Sequence, residues 1–82
     1  MIEWNDQLLN KLDAVIEDVI PKFMRKRIRS KVKSESEEYA KKRGSDIVEE
    51  DDVVQAFFLT APTVLHDKVK AKLIEHGLSV EN

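Results

Sequence analysis

The sequence predicts an all-α fold, with three core helices (short, long, short) and a fourth helix at the C-terminus. Three observations carry the prediction. Apolar residues recur at three- and four-residue spacings, and no stretch alternates with period two. Two Gly and two Pro in 82 residues leave little room for loop. Charged residues make up 37%, against roughly 25% in an average globular chain, as expected of short helices with a wide wet face.

Helix one starts after Asn5, a good N-cap, with Asp6 in the first turn where the helix dipole favours an acid. Leu8, Leu9, Leu12, Val15, Ile16, Val19 and Ile20 form one apolar stripe. Pro21 ends the helix, because it has no amide proton and restricts Ile20. Helix two spans about 22–43. Its apolar positions are Phe23, Met24, Ile28, Val32, Tyr39 and Ala40, and Ser36 and Ala40 extend the i, i+4 line with small residues that admit a close neighbour. Lys41, Lys42 and Arg43 suit its negative end, and Gly44 supplies the C′ residue. A short connection, 45–48, is expected to turn Ile47 inward. Helix three covers about 49–59, its first turn rich in acids, and Thr60-Ala61-Pro62 breaks it. Helix four is expected over about 63–76 with Val64, Leu65, Val69, Leu73 and Ile74 inward. Gly77 closes it and Leu78 packs back. The tail 80–82 is expected to fray.

The expected core comprises Leu8, Leu12, Val15, Ile16, Val19, Ile28, Val32, Tyr39, Ile47, Val53 and Phe57. The organisation is one unit: residues 1–59 as the main helical domain, with the helix and tail of 60–82 packed on it. A chain of this length has a thin core.

Composition excludes much chemistry. There is no Cys, so disulfides, thiolate metal sites and cysteine nucleophiles are ruled out. No apolar run approaches the ~20 residues that span a bilayer, and the N-terminus does not read as a signal peptide, so a cytoplasmic setting is expected. His66 and His76 lie about three turns apart on one helix, too far to share a metal. Asp46, Glu49, Glu50, Asp51 and Asp52 lack the spacing of a calcium loop and suit a helix start instead. No nucleophile–base order, Gly-rich phosphate loop or nucleotide fingerprint occurs. The sequence therefore implies neither a catalytic constellation nor a cofactor.

Charge is segmented. The net of −2 conceals −4 over residues 1–21, +7 over 22–33 and −5 over 44–54. The basic run holds Lys22, Arg25, Lys26, Arg27, Arg29, Lys31 and Lys33. Lys22, Arg25, Lys26, Arg29 and Lys33 fall together by i, i+3 and i+4 steps and form the candidate partner-binding face. The alternative is a solvated face that pairs with acids of helices one and three of the same chain. Trp4 is expected to staple onto Leu8 or Leu9.

Two resemblances follow. Trp4, an amphipathic helix, Ile20-Pro21-Lys22-Phe23-Met24-Arg25, the basic stretch, Glu38-Tyr39-Ala40, Gly44, Ile47 and then Val53 to Ala56 resemble the small C-terminal accessory domain of the B subunit of light-independent protochlorophyllide reductase. Pro21, Phe23, Arg25 and Arg29 are the most specific part. Val48 departs from the pattern, which has Thr there as a helix cap, and the chain from Thr60 onward lies outside the match. The resemblance implies a free-standing protein-binding or regulatory relative of that domain. It does not imply a reductase, because the cluster-bearing large domain has no counterpart here. The short-long-short order with Ala40, Gly44, Ile47 and Asp52-Val53 is also similar to a histone fold, which implies a DNA-binding dimer. Pro21 falls awkwardly for that fold's first loop, and the net charge is negative. The expected partner is an acidic protein surface, with nucleic acid as the alternative, and the expected state is a monomer or a homodimer.

Overall fold

The computed structural model describes residues 2–80. Among them the helices are α1 (Asp6–Val19), α2 (Lys22–Lys42), α3 (Glu50–Thr60) and α4 (His66–Glu75), with a 3-10 turn at Thr63–Leu65 before α4. The all-α expectation holds. Residues 81 and 82, the end of the expected frayed tail, lie outside the described residues.

Each boundary has a local cause. The Asn5 side chain accepts the Gln7 amide at 2.8 Å and so caps α1. Pro21 cannot donate to the last carbonyls of α1. Arg25 supplies the missing donors, its Nε to the Ile20 carbonyl and its Nη2 to that of Glu17, both at 2.9 Å. α2 ends in a Schellman motif. Gly44 stands at φ 75, its amide reaching Lys41 O at 2.9 Å while that of Ser45 reaches Ala40 O at 3.0 Å. α4 ends the same way at Gly77, φ 83, with Leu78 folded back into the core.

α2 packs on α1 and α3, and α4 packs on α1 and α3. Met24, Ile28, Val32, Ser36 and Ala40 form the inner line of α2; all but the partly buried Met24 are buried. The Ser36 hydroxyl is satisfied by the Val32 carbonyl at 2.7 Å. Leu8, Leu12, Val15, Ile16 and Val19 from α1, and Val53 and Phe57 from α3, join this core as expected.

Four expectations need correction. Ile47 does not point inward: it is 40% exposed, and Val48 is buried in its place. The segment is extended and pairs with Glu3 in an isolated parallel bridge, Glu3 N–H to Asp46 O at 2.8 Å and Val48 N–H to Glu3 O at 3.0 Å. Extended neighbours face opposite sides, so burying Val48 exposes Ile47. Val64 is 89% exposed rather than inward, because the tighter 3-10 turn breaks the register before α4 begins. Ile74 is exposed because α4 turns Val69 and Leu73 to the core instead. Tyr39 is packed against the core but only partly buried, with Lys42 Nζ 5.7 Å from its ring centre.

Candidate protein-interaction surface

The basic run occupies the first half of α2, and its residues divide by what they touch. Arg25 is turned back to the end of α1, as described. Arg29 Nε hydrogen-bonds Asp13 Oδ1 on α1. These two sequence-selected residues fasten α2 to its neighbour. Lys22 and Lys26 are exposed and Lys33 is half-buried, and none of the three makes an ion pair among the described residues. Lys26, Arg29 and Lys33 line one shallow groove with Ser30, Ser34 and Glu37. Glu37 Oε2 also accepts the Trp4 indole N–H at 2.8 Å, so Trp4 is drawn toward α2 while packing on the core.

Arg27 and Lys31, which the selected face left out, are exposed and likewise without an ion-pair partner. Phe23 was counted among the apolar positions of the helix but is 87% exposed. One position off the Met24 line means about 100° of rotation away from the core. It stands among Lys22, Lys26 and Arg27.

Several acids outside α2 have partners of their own. Asp52 is fully buried and receives Arg43 through both oxygens, Nε to Oδ1 at 3.0 Å and Nη2 to Oδ2 at 2.6 Å. The same Oδ2 accepts the Glu49 amide at 2.9 Å. Asp52 is the N3 residue of α3 and holds the backbone of the N-cap Glu49, as the acid of a capping box does. Arg43 Nη1 also reaches Glu49 at 3.0 Å. The Asp52 hydrogen bond holds the Arg43 pKa above its ordinary value. Lys11 reaches Glu50 at 3.9 Å. Glu49, Glu50 and Asp52 therefore pair outside the 22–33 run, and among the described residues Asp13 of α1 is the acid that pairs with it.

The histidines have separate tasks. His66 Nε2 lies 3.0 Å from the Ala61 carbonyl and its ring meets Phe58 edge-on at 5.3 Å. His76 Nε2 lies 2.6 Å from Asp18 Oδ2, joining the end of α4 to α1. That hydrogen bond lowers the Asp18 pKa. A wider concavity lies beside Lys11, Ile47, Glu49, Glu50, Asp51 and Ser79. Among the described residues no group of three or more His, Cys, Asp or Glu could hold a metal ion, and no helix is long and apolar enough to cross a membrane.

No protein-family model matches the chain, and neither does any curated protein or solved structure.

Proposed function

We propose that this chain is a non-catalytic protein-binding module whose working surface is the basic face of α2, and a relative of the accessory domain of light-independent protochlorophyllide reductase. One observation carries the reading. Lys22, Lys26, Arg27, Lys31 and Lys33 are left without an ion-pair partner among the described residues, in a chain that has more acids than bases. Unpaired like charges concentrated on one helix repel one another and attract an acidic surface. The partner is an acidic protein, met in a cytoplasmic setting. Three of the four residues most specific to the resemblance have roles in the fold, Pro21 dividing the helices, Arg25 capping α1 and Arg29 pairing with Asp13, while Phe23 is exposed.

The histone-like alternative needs a second apolar face on the long helix to receive a partner's long helix. α2 has one apolar line, and α1 and α3 of the same chain pack on this helix. This favours a monomer.

Light scattering after size exclusion, with and without a short duplex DNA, tests the reading. The expected result is a monomer whose mass is unchanged by DNA at about 0.15 M salt. The same chain should bind a glutamate-rich peptide at low salt and lose it in the Lys26→Glu/Lys33→Glu variant. A dimer that moves onto DNA would replace this reading with the histone-like one. Undiminished peptide binding by the variant would show the wrong surface had been chosen.

A further inference from the structure

Resting on the protein-binding reading above, we infer that the outer side of α2 around Phe23 docks an acidic segment of another protein that carries one large apolar side chain, with Phe23 as the apolar anchor. Trp4, Tyr39 and Phe58 pack against the core and Phe57 lies within it, whereas Phe23 is 87% exposed. An exposed aromatic ring contributes nothing to the core of its own chain and becomes a strong anchor once a partner covers it. Its neighbours at i+3 and i+4 are Lys26 and Arg27, and Lys22 precedes it, all exposed. Ser30 and Ser34 continue the same side of the helix with short side chains. By helical spacing, Lys26 and Lys33 flank this track on one edge and Arg27 and Lys31 on the other. The surface thus offers an apolar end, an open track and cationic margins.

Charge selects the occupant. A second copy would set α2, with nine Lys or Arg against three Glu, beside its like. A membrane plane or a long nucleic acid would extend beyond α2 over a chain whose net charge is −2. A narrow acidic segment need meet only α2.

The test is fluorescence anisotropy on the full chain with two labelled 15-residue probes, as an order-of-size choice that spans about four helical turns. One probe contains glutamate and alanine only; the other has a single central leucine. The wild-type chain should bind the leucine probe about tenfold more tightly. F23A should bring the two probes to equal affinity, with helicity by circular dichroism unchanged. K26E/R27E should lose both probes. If F23A preserved the leucine preference while K26E/R27E lost both probes, the anchor would be wrong and the basic-face reading would stand. Failure of the wild-type chain to bind either probe at low salt would remove both. If Phe23-dependent binding occurred only with phosphatidylserine vesicles or duplex DNA, the occupant assigned here would be overturned.

Discussion

Arg25 and Asp52 show how a residue's neighbours decide its use. Both sit in runs of like charge, and each is turned away from its run. Arg25 replaces the amide donor that Pro21 lacks, and Asp52 closes the start of α3 while receiving a bidentate guanidinium at 3.0 and 2.6 Å. Such a pair is costly to break from one side, because a charged or polar group is then left unpaired. Asp52→Ala strips Arg43 of its partner and leaves the Glu49 amide unsatisfied. The expected outcome is a fall in thermal midpoint of roughly 10 °C, measured by circular dichroism. An unchanged midpoint would mean that burying Asp52 costs as much as its hydrogen bonds return. Asp51→Ala, at an exposed neighbouring position, serves as the control and should lower the midpoint by only a few degrees, the share of the helix dipole.

At the scale of elements, α2 inverts a rule that α1 and α3 obey. Asp6 opens α1, and Glu50, Asp51 and Asp52 open α3, each placing acid at the positive end of the helix dipole. The first turn of α2 has no acid and no side-chain cap, and it begins at Lys22. A helix so charged is less stable by itself than it need be, and here it is held by the core, by Arg25 and by Arg29 with Asp13. Lys22→Glu corrects the dipole and should raise the thermal midpoint by roughly 2–5 °C. It should also weaken binding of the glutamate-rich peptide, a gain in stability at the expense of function. A variant that was no more stable would show that the dipole is already screened by solvent.

At the scale of the whole molecule, the Cα radius of gyration is 11.7 Å, the size of about 12 Å expected for one compact domain of this length. The C-terminal segment is therefore part of the same body, and one tie that closes it is His76 on Asp18 at 2.6 Å. A carboxylate only accepts hydrogen bonds, so the ring nitrogen must carry the proton. Asp18 has a pKa lowered from its ordinary value, first by that hydrogen bond, against an opposing effect of burial, with the nearby charges of Lys72, His76 and Lys68 adding to the lowering. The folded pKa lies below the unfolded one. The tie therefore adds stability above the ordinary carboxylate range and loses it as pH falls through the folded value. Asp18→Asn should lower the midpoint modestly at pH 6, and the gap from wild type should shrink as the pH falls through the folded value. A gap that persisted at the lowest pH would mean that the carboxylate charge is not what matters.

Local features of the sequence settled the helices and most of their ends, the start of α4 at His66 rather than near 63 being the exception. The 3–4 spacing gave α1 its buried stripe and α2 its inner line. Asn5, Pro21, Gly44 and Gly77 marked boundaries through donors and backbone angles that depend only on near neighbours. The seven-cation run was equally plain. Tertiary structure alone decided which cations remain on the surface, because Asp13 and the carbonyls of Glu17 and Ile20 come within reach of α2 only after the chain reverses at Pro21. It likewise set Ile47 outward and Val48 inward, through pairing with Glu3 more than forty residues away. Phe23 lies between these cases. Its place one step off the Met24–Ile28–Val32 line was visible in the sequence. Its exposure followed only because no later element of the described chain covers that side of α2, and contacts between distant segments are what a local pattern does not encode.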